Sequence, residues 1–226
     1  MSVPPPSFPD DLRRALVTEA LGTGLLTAVV VGSGILAQDV AAGSTALALI
    51  GNTFATGTAL AVLTLIFAPV SGAHFNPAVT FALVLRGELV RLTGLLYAAA
   101  QVIGALVGVL LAHAMFSQEL LQVSTQTRAS GGALIAEAVA ALGLTLTVLS
   151  CHRARPEAIA WATALFVAAA YWFTPAMSLA NPAVALARAF TDSFSGVAPI
   201  DVPGFVLAHL AGAFVAYTLA RWLYRT

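Results

Sequence analysis

Asn-Pro-Ala occurs twice in this chain, at Asn76-Pro77-Ala78 and at Asn181-Pro182-Ala183. Asparagine before proline starts helices well. The asparagine side chain caps the first turn, and proline at the first helical position gives up no needed hydrogen bond. Each copy opens an apolar stretch of about ten residues, Asn76–Leu85 and Asn181–Phe190, too short to cross a hydrocarbon layer of ~30 Å. Two half-helices that meet by their positive ends at mid-membrane make a pore. The asparagine amides offer N–H donors to a passing hydroxyl, and the two dipole ends repel cations.

Such half-helices need full spans around them. Charged residues are 9% of the chain and hydrophobic ones 59%, against about 25% charged in a soluble domain. The apolar runs predict six spans: Ala15–Leu36, Thr45–Ala68, Leu92–Met115, Gly132–Ser150, Ala158–Phe173 and Gly204–Leu223. Irregular backbone at membrane depth must line a cavity, so residues 71–75 and 178–180, which precede the half-helices, are expected to face the pore. The expected class is an all-α membrane protein with six transmembrane helices plus two re-entrant half-helices. Residues 1–12 are expected to form a disordered tail, and 13–226 one channel domain with repeat halves near 13–116 and 131–226.

There is no lysine. Arg13, Arg14, Arg86, Arg91, Arg153, Arg155, Arg221 and Arg225 fall on one side of a six-span layout, which places both termini in the cytoplasm. An odd number of spans separates the halves, so the repeat is inverted. Glu19 and Glu137 sit at matching places early in each half. A carboxylate in a span is costly. The expected role of each is to accept hydrogen bonds from the backbone of a re-entrant loop, with proton carriage the less favoured role. Gly104 and Gly108 form a small-residue step for close helix packing.

The run Ser71-Gly72-Ala73-His74-Phe75-Asn76-Pro77-Ala78-Val79-Thr80, with Glu19, Gln101 and the second Asn-Pro-Ala, resembles the aquaporin (major intrinsic protein) superfamily from about residue 15 to the end. The resemblance implies one pore per subunit, a homotetramer, and a selectivity filter whose positions carry over to Thr56, Ala169 (or Ala170), Ser178 and Val184. Most members have arginine where Val184 stands. Arg188, one turn on, is the candidate charge at the mouth; an interfacial residue that snorkels to the membrane surface is the competing reading. His74 is expected to brace its loop, with pH gating the alternative. The second motif, through Arg188 and on to Asp192-Ser193-Phe194-Ser195-Gly196, resembles a bacterial branch with valine at this place, some of it associated with arsenic-resistance operons.

Small side chains at all four filter positions imply a wide filter. The expected function is a passive channel for small neutral solutes such as glycerol-like polyols, urea and arsenous acid, and for water, in the inner (plasma) membrane. The alternatives are a strict water channel and an ion-coupled secondary transporter, which would need a titratable residue or cation site at the centre. The expected partners are those solutes and the lipid bilayer, with no nucleic acid. No metal site is expected, because neither His113 nor His209 has a cysteine or acid at helical spacing. No cofactor and no enzymatic activity are expected: no nucleophile–base pair or phosphate-binding loop is present.

Overall fold

The computed structural model describes residues 11–178 and 180–224. It contains eight α-helices in these residues: α1 (Leu12–Val40), α2 (Thr45–Ser71), α3 (Pro77–Leu85), α4 (Arg91–Met115), α5 (Gly131–Ala154), α6 (Ile159–Phe173), α7 (Pro182–Ala187) and α8 (Val202–Leu223). Short 3₁₀ turns precede α6 and follow α7. Six helical stretches are long and apolar enough to cross a membrane, and their ends lie within four residues of the sequence expectation. Of the expected tail, residues 1–10 lie outside the described residues. Asp11 caps α1, accepting from Arg14 N at 3.1 Å, and Leu12 begins the helix.

Local chemistry sets the helix starts. Ser44 accepts from Leu47 N and Ser130 from Ala133 N, as side-chain caps do. Gly72 ends α2 in the left-handed region (φ 87°), where a β-carbon is strained.

The inverted repeat is visible in the packing. α1 packs on α4 and α5 on α8, each at a glycine with no room for a side chain. A β-carbon on Gly104 would overlap the carbonyl oxygen of Ala20, and one on Gly212 that of Ala138. The start of α1 and the end of α8 lie at the same end of the bundle, called here the near end. There Arg86 Nη1 donates to Leu149 O at 3.1 Å, and Arg86 and His152 flank Glu88 at 2.7 and 3.1 Å. The far end carries the α4–α5 connection and residues 191–201.

Candidate functional site

The two half-helices meet head to head. Asn76 caps α3 through Oδ1, which accepts from Ala78 N at 2.9 Å. Asn181 caps α7 the same way, accepting from Ala183 N at 3.0 Å and Val184 N at 3.3 Å. Each amide nitrogen then reaches the opposite half: Asn76 Nδ2 donates to Ala180 O and Asn181 Nδ2 to Phe75 O, both at 2.8 Å. An amide nitrogen has two hydrogens. One is spent on this clasp; the other has no partner among the described residues, and both asparagines line the conduit.

The loops that feed these caps are strained and need support. Ala73 (φ 50°), Phe75 (φ 48°) and Ala180 (φ 43°) all occupy the left-handed region, at a cost of order 1 kcal/mol or more each. Glu19, fully buried, holds the first loop. Oε1 accepts from Ser71 Oγ at 2.6 Å and His74 N at 2.9 Å, and Oε2 from Phe75 N at 2.7 Å and Gln101 Nε2 at 2.8 Å. Glu137 does the same for the second loop, accepting from Ala180 N at 2.9 Å with His209 Nε2 at 3.0 Å. In the sequence His209 stood out only as a histidine without a metal-ligating neighbour. A signal for it was there: Gln101 precedes Gly104 by three residues, and His209 precedes Gly212 by three. His74 places Nδ1 3.1 Å from Thr80 Oγ1 and its ring edge-on to Tyr97 at 5.2 Å, while also lining the conduit.

A cavity of about 150 Å³ runs between the helices, from His152 and Ile159 at the near end, past Asn76 and Asn181, to Thr56, Tyr171, Ser178 and Val184. Its wall is amphipathic. Leu26, Val30, Leu60, Val79 and Val167 supply apolar surface. The carbonyls of Gly72, Ala73 and His74, none bonded to a described residue, supply acceptors. A wider cavity of about 610 Å³ opens beyond it at the far end. Among the described residues, Tyr171 alone lines both, so the constriction lies at its ring.

That placement corrects the α6 position. Ala169 is exposed on the outer surface of the bundle, on a stripe with Trp161 and Leu165, and Ala170 is buried among Ala140, Ala141 and Ala180. The stripe of α6 that faces the conduit is Thr163, Val167 and Tyr171. Tyr171 Oη donates to Thr56 Oγ1 at 3.4 Å, so the two sit side by side on one wall of the passage. The constriction is therefore narrower than four small residues would make it, and it carries three hydroxyls (Thr56, Tyr171, Ser178) instead of two.

Arg188 does not snorkel. It is 1% exposed, and its Nε donates to Ser195 O. Its two terminal nitrogens make no hydrogen bond to a described residue. Arg128 reaches the same loop from the α4–α5 connection, donating to Gly196 O and Phe194 O, each at 2.6 Å. Three successive carbonyls are thus held by two guanidiniums. Burial, with the neighbouring charge of Arg188, pulls the Arg128 pKa down to about 9, which leaves it positive at neutral pH. At the near mouth, burial alone would raise the Glu88 pKa. His152 and Arg86 outweigh it and hold that carboxyl below its ordinary range.

The description Major intrinsic protein matches residues 9–158. Aquaglyceroporin AqpS of Rhizobium meliloti (strain 1021) is 53% identical over 94% of this chain and 91% of its own length. The chain belongs to the major intrinsic protein family. This major intrinsic protein is also 34% identical to a probable aquaporin, TIP2-2, of Oryza sativa subsp. japonica, over 63% of this chain and 58% of the relative. An X-ray structure of the aquaglyceroporin from Plasmodium falciparum superposes with a TM-score of 0.68 over 92% of this chain and 95% of that one, at 20% identity, which speaks for the fold alone. The protein is an integral membrane channel, not an enzyme.

In a channel of this family the buried charge of Arg188 has a consequence. A unit charge acting over about 8 Å at an effective dielectric constant of about 20 is worth about 2 kcal/mol against a cation. Arg188→Met is expected to raise the cation or proton leak of proteoliposomes by roughly tenfold or more, read as the rate of collapse of an imposed pH gradient. An unchanged rate means that the half-helix dipoles alone keep cations out.

Proposed function

We propose that this channel passes small neutral hydroxylated solutes, with glycerol as the reference substrate and urea and arsenous acid in the same class, and passes water as well. The observation that carries this reading is Val184. It stands directly after the second Asn-Pro-Ala and lines the constriction with Thr56, Tyr171 and Ser178, so among the described residues no charged side chain lines it. Hydroxyls on part of the wall and valine on another part suit a molecule with hydroxyls on one face and carbon on the other. Desolvation is then offset by hydrogen bonds to the hydroxyls, the asparagine amides and the free loop carbonyls. The similarity to a relative named an aquaglyceroporin supports the same reading.

Tyr171 is the observation that favours a second reading, a strict water channel. An aromatic ring at the constriction takes space that a polyol needs. Stopped-flow light scattering on proteoliposomes separates the two. After hyperosmotic glycerol, the first reading expects shrinkage and then fast, protein-dependent reswelling; the second expects shrinkage with no recovery.

The near-end cluster of arginines supports a cytoplasmic location for both termini. The channel is expected to work as a homotetramer in the inner (plasma) membrane of a bacterium, each subunit carrying its own pore, with lipid covering the remaining apolar faces.

A further inference from the structure

His113 is fully buried in the last turn of α4, and both of its ring nitrogens are engaged. Nδ1 lies 3.0 Å from Leu120 O and Nε2 2.9 Å from Thr191 Oγ1. Thr191 Oγ1 donates to Ser193 Oγ at 3.0 Å, and Ser193 Oγ meets Ser195 Oγ at 3.2 Å. Ser195 O accepts from Arg188 Nε. A file of three buried hydroxyls thus joins a titratable ring to the residue on which the buried arginine rests. Ser195 has little slack on its other side, where a β-carbon on Gly34 of α1 would stand 2.9 Å from its Oγ.

The hydrogens of this file can be counted. A carbonyl only accepts, so Nδ1 carries a hydrogen toward Leu120 O. Thr191 has one hydroxyl hydrogen, and its direction toward Ser193 leaves none for Nε2. Nε2 must then donate to Thr191, and the arrangement is that of a doubly protonated ring. A neutral ring has a bare Nε2, which claims the Thr191 hydrogen, and the bond from Thr191 to Ser193 is withdrawn. One hydrogen serves either the ring or the loop. Ser193 lines the wider far cavity, so the file also gives a proton a route to a ring with no exposed surface.

The charges around the ring are few. The last turn of a helix carries negative partial charge on its unpaired carbonyls, which suits a cation at this place. Arg188, on the turn after α7, and Arg128, on the α4–α5 connection, oppose one. The carboxylates of the surrounding elements are Asp39 at the end of α1 and Glu119 and Asp192 on the far loops. All three residues are exposed, and both ring contacts are to neutral oxygens.

We propose that His113 is a positioning residue for the cation barrier at the far mouth. Protonated, it leaves Thr191 free to hold Ser193 and Ser195, and through them Arg188; neutral, it takes the Thr191 hydrogen and loosens that hold. The inference rests on Arg188 keeping cations out of the channel. A neutral solute does not meet a charge barrier, so this latch tunes ion leak and leaves glycerol flux alone.

The test measures labelled rubidium influx and glycerol permeability on the same proteoliposomes at about pH 5.5 and about pH 8.5, either side of the ordinary histidine range. Wild-type rubidium influx is expected to rise about fivefold from the lower pH to the higher, the factor that one net hydrogen bond carries, while glycerol permeability changes by less than about twofold. His113→Gln removes the titration, and Thr191→Val removes the connecting hydroxyl while keeping the ring and the side-chain shape. Each is expected to leak at both pH values at the wild type's higher rate. Adding His113→Gln to Arg188→Met is expected to change nothing further, because the two residues act through one barrier. A wild type with a flat pH profile overturns the latch. So does a His113→Gln variant that keeps the full pH response, which then belongs to His74 or His152 on the conduit wall. Loss of glycerol permeability alongside the leak in both single variants assigns the effect to packing and overturns it too. An Arg188→Met variant that leaks no more than the wild type overturns the barrier itself, and the latch with it, while wild-type glycerol permeability tests the neutral-solute channel separately.

Discussion

Glu19→Gln is expected to abolish the folded channel. Four donors converge on the two oxygens of Glu19: a serine hydroxyl, two backbone amides and the amide of Gln101. Glutamine keeps one acceptor and turns an N–H₂ group toward donors that then have no acceptor. Each buried donor left without a partner costs about 1–3 kcal/mol, and whichever oxygen is replaced, one of the two backbone amides, His74 N or Phe75 N, is among them, in a loop already strained at Ala73 and Phe75. A total above about 3 kcal/mol is a large share of the stability of a typical folded protein. The expected result is loss of the monodisperse peak in size-exclusion chromatography, and no protein-dependent flux from whatever inserts. A Glu19→Gln channel that is folded and conducts normally removes Glu19 from the support of the loop.

Val184→Arg is expected to close the channel to glycerol while sparing water. Val184 sits on the first turn of α7, against a passage already narrowed by Tyr171 and lined by Thr56 and Ser178. An arginine there projects a long cationic chain into that space. Overfilling a packed space costs about 1–3 kcal/mol, here borne by the larger solute, so glycerol permeability should fall by about tenfold or more. Water, with a smaller cross-section, should lose less than about threefold. Equal losses for both would show that Val184 does not set the width. Arg188 stays on its own carbonyl in either case, since its contact with Ser195 belongs to the far loop.

The parts of this architecture written in local chemistry were legible in the sequence. Spans follow from apolar runs, and the half-helices from Asn-Pro. The two loop-supporting carboxylates follow from their matching places in an inverted repeat. Tyr171 was not legible, because chain distance from Asn181 assumes a fixed path for residues 174–180. Residues 174–177 turn compactly, with Thr174 O accepting from Met177 N at 3.4 Å, and Tyr171 instead of Ala169 faces the conduit. Arg188 was not legible for a related reason. Its helical position says that it lies near the mouth; only the packing of residues 194–196 says that a carbonyl there captures it before it can reach the membrane surface. His209 was within reach, since its spacing to Gly212 repeats that of Gln101 to Gly104. A glutamine replaced by a histidine hides the correspondence from a reader looking for like residues.

Labelled glycerol influx into proteoliposomes, measured over a rising concentration series with and without an imposed proton gradient, tests the central claim most directly. A passive neutral-solute channel predicts initial rates that rise in proportion to concentration and do not respond to the gradient, because the centre of the conduit presents two amides and, among the described residues, no carboxylate lines it. Rates that saturate and are driven uphill by the gradient would contradict it and point to a coupled transporter.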